Sequence, residues 1–345
     1  MNKLLVFKAV FIAAVSALIG IACTGKKTSG EMKPQIVVSE FIYENAPFPQ
    51  CHASTIVETE DGLLAAWFGG TKEKNPDVCI YTSEKKEGEW STPVLVADGL
   101  MNDTLRYPCW NPVLFKRDNG DIILYYKVGP SPREWWGLYK ISKDNGKTWS
   151  EETPIPDNLL GPIKNKPERL ADGTILYPTS YETNEYWAIY TETSDQYLKN
   201  WKKTEIDNNG FNAIQPTILF HENGYMQMIC RSKERVIVET WSNDNGKTWS
   251  PLQATSLPNN NSGFDAVTLD NGKHLLICNP IEKGRNKLSL LLSDDGIGWE
   301  EILILEDQPE GEFSYPAIIQ GSDGTIHITY TYNRETVKYV QLNII

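Results

Sequence analysis

Two arginines, a tyrosine and a carboxylate in this sequence have the side-chain types that binding and cleaving an acidic sugar would need. Arg231 and Arg285 can hold a carboxylate through charge-assisted hydrogen bonds. Tyr315 offers a phenol for covalent chemistry and Asp77 a carboxylate for proton transfer, while His52 adds an imidazole. Taken singly, each residue type has an ordinary role in ion pairing or packing. The set points to chemistry only if the fold brings its members to one place.

The stretch from residue 215 to 250, QPTILFHENGYMQMICRSKERVIVETWSNDNGKTWS, shows the structural unit that positions these residues. An apolar run leads into Asn223-Gly224, a dipeptide that suits a tight hairpin because it tolerates positive φ. Two further apolar runs follow, and a loop with the pattern S-x-D-x-G-x-x-W begins at Ser242. Such a loop is fixed by its own side-chain to backbone hydrogen bonds. The unit is therefore predicted to be an antiparallel meander of strands.

The same hairpin recurs about every 50 residues, a period typical of radial or stacked repeats. Its glycines are Gly62, Gly120, Gly173, Gly224, Gly272 and Gly324. The Trp-ending loop is as good at Ser142 as at Ser242, one residue short at Ser293, and degenerate at Ser83 and Ser194. Six copies predict an all-β protein with the fold of a six-bladed β-propeller.

The chain ends at Ile345, too soon after Gly324 for the sixth unit to form a complete blade. The segment QIVVSEFIY, Gln35 to Tyr43, precedes the first unit and has the composition of a strand. We expect it to supply the outermost strand of the last blade, which would close the ring and cover a free sheet edge.

In each unit the residues 8 to 10 positions before the hairpin glycine, and those 7 or more after it, lie at the end of the blade away from the turn. These ends converge on one rim of the propeller. The rim positions are His52, Trp110, Lys127, Gln215, Arg231, Asn279, Arg285 and Tyr315, with Asp77 in a loop of the first unit and Lys164 ahead of the third turn. Convergence at one mouth favours a binding or catalytic site over a separate structural role for each residue.

The first 23 residues carry lysines, then an apolar stretch shorter than a membrane span, and end at Cys23. This pattern predicts a signal peptide over 1–23. It is expected to be of the lipoprotein type with Cys23 lipidated, with simple secretion as the alternative. Residues 24–34 would be a polar tether and 35–345 the propeller. The expected location is the periplasm or, as a lipoprotein, the outer membrane or cell surface.

Charge and composition narrow the classes of partner. The formal net charge of −12 argues against nucleic acid and anionic membrane surfaces, so membrane contact is expected only through a lipid at Cys23. An odd number of cysteines follows Cys23, namely Cys51, Cys79, Cys109, Cys230 and Cys278. Buried free thiols are favoured for them, with a pairing between chains as the alternative. The four histidines lack metal-ligand spacing, so we expect no metal or cofactor, and a monomer.

The repeat count, the S-x-D-x-G-x-x-W loops and the rim residues resemble the sialidase superfamily with its Asp-box repeats, over about residues 35–345. Members of that family have an arginine where HASTIVETEDG here begins with His52. Their second and third carboxylate-binding arginines match Arg231 in GYMQMICRS and Arg285 in NPIEKGRNKLSLLLSDD. One of three arginines is thus replaced.

The resemblance also implies catalytic roles. Tyr315 in YPAIIQGSDG matches the family nucleophile, and Asp77 lies where the family keeps its acid/base. The glutamate that polarises the tyrosine falls on Gln215, whose amide cannot take a proton. Lys164 and Trp110 are further candidates for substrate binding.

The resemblance therefore implies a retaining, sialidase-like exo-glycoside hydrolase that releases terminal acidic sugars, sialic acid or a related sugar, from glycans or oligosaccharides. The proton of Tyr315 would then go to His52, Glu310 or Glu312. Two alternatives stay open. One is a lyase or hydrolase acting on uronate-linked glycans through histidine and tyrosine. The other is a non-catalytic propeller that binds glycans, which the replacements at His52 and Gln215 favour.

Overall fold

The computed structural model describes residues 33–344, which form six antiparallel sheets. The predicted signal peptide, the lipidation site Cys23 and most of the tether lie outside the described residues. The first strand along the chain, β1 (Pro34–Phe41), belongs to the last sheet. Blade 1 contains β2 (Gln50–Glu58), β3 (Leu63–Gly70), β4 (Cys79–Lys86), β5 (Glu89–Trp90) and β6 (Val94–Ala97). Blade 2 contains β7 (Cys109–Lys116), β8 (Ile122–Val128), β9 (Trp136–Ser142) and β10 (Thr153–Pro154).

The remaining blades follow the same plan. Blade 3 contains β11 (Glu168–Arg169), β12 (Ile175–Glu182), β13 (Trp187–Ser194) and β14 (Lys202–Glu205). Blade 4 contains β15 (Ala213–Phe220), the 3₁₀ turn η1 (Glu222–Gly224), β16 (Met226–Ser232), β17 (Val236–Ser242) and β18 (Gln253–Pro258). Blade 5 contains β19 (Asp265–Thr268), β20 (His274–Cys278), β21 (Lys287–Ser293) and β22 (Glu300–Asp307). Blade 6 contains β23 (Phe313–Gln320), β24 (Ile326–Tyr332) and β25 (Thr336–Ile344). The predicted six-bladed β-propeller is confirmed.

The ring closes as the sequence predicts, through the N-terminal strand. β1 pairs antiparallel with β25 as the outermost strand of blade 6, with Gln35 opposite Asn343 and Phe41 opposite Lys338. β2 of blade 1 in turn packs against β23 of blade 6. The last blade is therefore built from both ends of the chain, so the first and last blades are held together without a covalent link.

The turns form where the sequence places them, and each has a local cause. All six hairpin glycines have positive φ, for example 78° at Gly224 and 84° at Gly324. In the Trp-ending loop of blade 2, the Ser142 hydroxyl donates to Asp144 Oδ1 at 2.8 Å and accepts from the Gly146 N–H at 2.8 Å. Hydrogen bonds from Thr148 lower the pKa of the Asp144 carboxyl to about 2. These loops are thus fixed by their own side chains.

The core lies between the blades. The second strands of the blades are buried on both faces, as in β3 and β8, where every residue is buried. All five cysteines of the described chain are buried free thiols, and Cys79 Sγ also accepts a hydrogen bond from Arg106 at 2.6 Å. Within residues 33–344 there is no helix with the length and hydropathy to cross a bilayer.

Candidate active site

Two of the predicted site residues lie on backbone bulges at the mouth of the propeller, and the bulges set the direction of their side chains. Near the start of the innermost strand in blades 4 and 6, Gln215 (φ 55°) and Tyr315 (φ 52°) adopt left-handed conformations, and the pairing register shifts beside each. A proline follows in both cases, and a residue before proline rarely adopts this conformation. Strain of this kind needs support from the surrounding structure and is common at functional sites.

The same bulge occurs in blades 1 and 2. There it shows that the predicted rim positions are off by one residue. The bulged residues are Ala53 (φ 57°) and Asn111 (φ 37°), one residue beyond His52 and Trp110. His52 and Trp110 are consequently buried, at 2% exposure each, rather than displayed like Tyr315. A one-residue shift moves a side chain to the other face of a strand, which explains the difference.

Tyr315, Arg231 and Gln215 form one hydrogen-bonded group. Arg231 Nη1 donates to the Tyr315 hydroxyl oxygen at 2.6 Å and to Gln215 Oε1 at 3.1 Å. Gln215 Nε2 donates to the same hydroxyl oxygen at 3.3 Å. Arg231 is held from behind by Asn261, whose Oδ1 accepts from Nε at 3.0 Å. Because two N–H donors, one of them cationic, point at the phenol oxygen, negative charge on that oxygen is stabilised.

Two more arginines lie beside this group, and the sequence predicts only one of them. Arg285 stands with its guanidinium carbon 5.5 Å from the centre of the Tyr315 ring and donates to Glu312 at 2.8 Å. Arg334 donates to the same Glu312 oxygen at 2.9 Å and also pairs with Glu73. The mouth thus holds a third guanidinium after all, supplied by the turn between β24 and β25 instead of by the start of β2.

Sequence reasoning misses Arg334 although a signal for it exists. The turn that carries it, YNRE, joins the second and third strands of its unit, as the loop with Asp77 does in blade 1. The topology therefore places both at the mouth. The family pattern instead points to His52, at the start of β2.

His52 is a buried neutral imidazole against the tyrosine. Its ring centre lies 4.1 Å from that of Tyr315, and its Nδ1 is hydrogen-bonded to Thr331 Oγ1 at 2.9 Å. Burial, and then the positive charges of Arg334, Arg285 and Arg231, hold the pKa of His52 well below its ordinary value. Its Nε2 is buried without a hydrogen-bond partner among residues 33–344. A neutral imidazole with an unsatisfied nitrogen is chemically available.

The predicted acid/base, Asp77, lies in the exposed loop between β3 and β4. Its Oδ2 accepts from the Thr71 N–H at 2.8 Å and the Thr71 hydroxyl at 2.6 Å. Burial raises the pKa of Asp77, but these hydrogen bonds outweigh it and hold the pKa below its ordinary value. The free protein therefore favours the carboxylate form. Glu73, in the same loop, reaches the arginines of the mouth through Arg334.

Lys164 is buried beneath the mouth. Its ammonium donates to Asn165 Oδ1 at 2.8 Å, to the Phe264 carbonyl at 3.0 Å and to the Pro316 carbonyl. The Asn165 side chain in turn donates to the carbonyls of Gln215 and Pro216 at 3.1 and 3.0 Å. Burial lowers the pKa of Lys164 to about 7, while three oxygen acceptors match the three N–H donors of the ammonium.

This lysine and asparagine come from the irregular segment ahead of β11, the two-residue innermost strand of blade 3. They fasten the bulges of blades 4 and 6 to each other, which is a supporting role rather than the predicted contact with substrate. Trp110 also has a supporting role, because its indole N–H donates to the Gly129 carbonyl at 2.8 Å inside the core. Neither side chain presents an open face to a ligand.

The other predicted rim residues are also structural. Lys127 is fully buried and donates to the Pro162 carbonyl at 2.7 Å. The Asn279 side chain donates to the carbonyls of Lys287 and Phe313 at 2.6 and 2.8 Å. Among the residues that the structure describes, no group of three or more histidine, cysteine, aspartate or glutamate side chains is arranged to hold a metal ion.

Comparison with known proteins supports the β-propeller fold. Residues 61–328 match the family model of the BNR repeat-like domain. A protein of unknown function from Dyadobacter fermentans superposes with a TM-score of 0.75 at 14% identity, over 90% of this chain and 99% of that one. The NanB sialidase of Streptococcus pneumoniae, as its K499G mutant, gives 0.71 at 14% identity over 89% and 71%. The leech intramolecular trans-sialidase gives 0.69 at 12% identity over 89% and 69%.

At these identities the structural likeness concerns the fold alone. No curated protein matches the chain significantly in sequence. The chemistry of the site has to be argued from the residues of this chain.

Proposed function

The chain belongs to the BNR repeat-like family, and on that basis we propose that it is a sialidase-like exo-glycoside hydrolase that releases a terminal acidic sugar from a glycan with retention of configuration. Its propeller is of the sialidase type. The observation that carries the proposal is the pair of hydrogen bonds that Arg231 and Gln215 donate to the hydroxyl oxygen of Tyr315.

In the proposed reaction Tyr315 attacks the anomeric carbon while the glycosidic bond breaks, and the leaving oxygen takes a proton from Asp77. Water, deprotonated by Asp77, then hydrolyses the covalent glycosyl-enzyme and releases Tyr315. Donors aimed at an oxygen that becomes negative lower the barrier only if they are already in place. Arg231 meets this condition, because its contacts with Gln215 and Asn261 fix it at 7% exposure.

The proton of Tyr315 needs an acceptor that Gln215 cannot be, since its amide already donates toward the phenol oxygen. Glu312 is engaged by Arg285, Arg334 and the Ser314 hydroxyl. We assign the role to His52, whose ring lies against the tyrosine and whose Nε2 has no hydrogen-bond partner among residues 33–344, acting directly or through one water.

Asp77 is the proposed acid/base, from its place in the loop that follows β3. Because its carboxylate form is favoured in the free protein, it suits the base role in the second, hydrolytic step. Acting as the acid first requires that substrate binding displace the Thr71 hydrogen bonds and raise the pKa of Asp77.

The preference for an acidic sugar is supported by three guanidinium groups at one mouth. Arg231 uses Nε and Nη1 in the site, and its Nη2 has no bonded acceptor among residues 33–344. Arg285 and Arg334 share Glu312 and retain some exposure. A carboxylate placed between them would receive charge-assisted hydrogen bonds.

A fluorogenic sialoside assay tests the proposal, with a panel of terminal acidic sugars screened by mass spectrometry of the released products. Release of one such sugar, with the configuration retained by NMR, is the expected result. Binding of these sugars by calorimetry without any release would instead select a glycan-binding propeller.

The contact between His52 and Tyr315 favours one second candidate, a lyase acting on uronate-linked glycans. There the imidazole and phenol would act as base and acid while arginines neutralise the uronate. An unsaturated product with new ultraviolet absorbance would identify elimination, and a reducing sugar without that absorbance would identify hydrolysis.

A further inference from the structure

A cavity lies between blades 4 and 5, at the opposite end of the molecule from the mouth. Its volume is about 460 Å³ and it is open to solvent. His221, one of its lining residues, is separated from Gln215 by most of β15, which at about 3.3 Å per residue puts the two roughly 20 Å apart. The side chains that shape the cavity are His221, Tyr225, Trp241, Lys273, His274 and Asp294.

Two of these residues break the repeat of the propeller. Two positions after the hairpin glycine, the other five blades carry buried aliphatic or thioether side chains, namely Leu64, Ile122, Ile175, Met226 and Ile326. Blade 5 has His274 there. Directly before the Trp-ending loop, blades 2 and 5 carry Ile141 and Leu292 and blades 1 and 3 carry Thr82 and Thr193, whereas blade 4 has Trp241. A repeat built on packing alone has no need of either substitution.

The two departures come from neighbouring blades and meet at the cavity. The His221 ring lies between them, 4.8 Å from Trp241 and 4.5 Å from His274, centre to centre. Tyr225 adds a second aromatic side chain at 46% exposure. Because Trp241 and His274 depart from the repeat in separate blades and meet at one solvent-open cavity, we infer that they serve one function there.

His274 also presents an unsatisfied polar atom. Its Nδ1 is hydrogen-bonded to Thr268 Oγ1 at 3.0 Å, while its Nε2 is buried and without a hydrogen-bond partner among residues 33–344. Buried polar atoms are normally paired. Because His274 lines the cavity at only 1% exposure, its free nitrogen meets a ligand hydroxyl only if the ring turns toward the cavity.

The charges at the cavity do not favour an anion. Burial lowers the pKa of His274 to about 4, and the pKa of His221 is also lowered by burial, so both rings are neutral at pH 7. Lys273 is paired with Asp294 at the edge, and Glu222 and Asp295 add two further carboxyl groups to the lining. A neutral ligand with hydroxyl groups and an apolar face fits this lining, because a pyranose ring can pack its C–H face on an indole.

We propose that this cavity is a second carbohydrate site, which takes a neutral hexose through Trp241 and His274 on the face opposite Tyr315. The site would hold the protein on a glycan surface independently of any reaction at the mouth. It does not depend on the proposed hydrolase activity.

Saturation-transfer NMR with methyl β-galactoside, and separately N-acetylglucosamine, tests this on the full chain. We expect transfer to at least one of them from the wild type and from Tyr315→Phe. The transfer should be lost in Trp241→Leu and His274→Ile, which restore residues that sister blades carry. Melting curves confirm that the variants fold, and if one folds poorly the other decides by the same criterion.

Two outcomes would overturn the proposal. One is that neither sugar receives saturation from the wild type at millimolar concentration. The other is that the signal persists undiminished in Trp241→Leu, which would place any bound sugar elsewhere. Trp187 lies at the mouth, with its ring centre 5.6 Å from the guanidinium carbon of Arg231. Trp187→Leu is the control matched to Trp241→Leu and should keep the signal.

Discussion

Arg231 Nη1 lies 2.6 Å from the hydroxyl oxygen of Tyr315, so a guanidinium from β16 of blade 4 donates directly to a phenol from β23 of blade 6. β16 ends and β23 begins at the same mouth, and a strained bulge turns the tyrosine toward the arginine. The proposed chemistry depends on this contact and on the groups that support it.

Removal of Arg334 tests whether the unexpected third arginine serves the carboxylate of a ligand. For Arg334→Gln we expect an unsaturated sialic-acid analogue to bind about tenfold or more weakly by calorimetry, since a charged hydrogen bond contributes about 1.5–3 kcal/mol. The methyl ester of that analogue should lose much less. Arg235→Gln, at an exposed position, is the control. Equal losses for acid and ester would mean that Arg334 serves only Glu312 and Glu73.

The buried lysine of blade 3 offers a test of the supporting structure. Lys164→Met removes the donor to the Pro316 carbonyl, next to Tyr315, and we expect kcat to fall by on the order of a hundredfold as the tyrosine shifts. Lys127→Met is matched to it, because Lys127 is equally buried and also donates to a backbone carbonyl. Both variants should lose thermal stability. Equal kcat values for the two variants would contradict the positioning role.

The neutral state of His52 predicts a particular loss of stability in acid. Its folded pKa is lowered, so the unfolded chain binds a proton first as pH falls through about 6.5, and stability is lost below that pH by about 1.4 kcal/mol per pH unit. His52→Asn, which can keep the Thr331 contact, should remove this part of the dependence. Urea unfolding at several pH values between 7.5 and 5 measures it. Parallel curves for wild type and variant would show that His52 is not the group responsible.

Closure of the ring by β1 predicts that the whole propeller depends on its first strand. A chain starting at Glu44 lacks the partner of β25 and exposes that strand's edge, so we expect it to unfold or aggregate, while a chain starting at Lys33 melts cooperatively. Differential scanning calorimetry compares the two. A melting temperature for the shorter chain within a few degrees of the longer one would refute the dependence.

The repeat made the architecture predictable from the sequence, because hairpin glycines and Asp-box loops are local signals that do not depend on distant contacts. The six turns, the blades and the closing strand all follow from it. The bulges did not, since a positive φ at Ala53 or Asn111 has no glycine to mark it. That single-residue shift is why His52 and Trp110 are buried against neighbours instead of displayed at the mouth.

The supporting contacts were unpredictable for a different reason. Lys164 reaches carbonyls about 100 and 150 residues away in the chain, from a segment where the expected innermost strand is shortened to two residues. Repeat periodicity describes what the blades share, and these contacts exist where a blade departs from the others. The place of Arg334 in the site was unpredictable for the same reason, because it depends on ion pairs with Glu312 and Glu73 and not on the residues next to it in the sequence.

Tyr315→Phe tests the central claim most directly, because it deletes one hydroxyl and leaves the ring that packs on His52. If Tyr315 is the nucleophile, kcat on the true substrate should fall by on the order of a hundredfold to ten-thousandfold, with ligand affinity and melting temperature little changed. If the hydroxyl only binds, its loss should cost about 0.5–1.5 kcal/mol, roughly tenfold at most. A decrease in kcat of less than about tenfold would remove Tyr315 from the mechanism and contradict the proposed reaction.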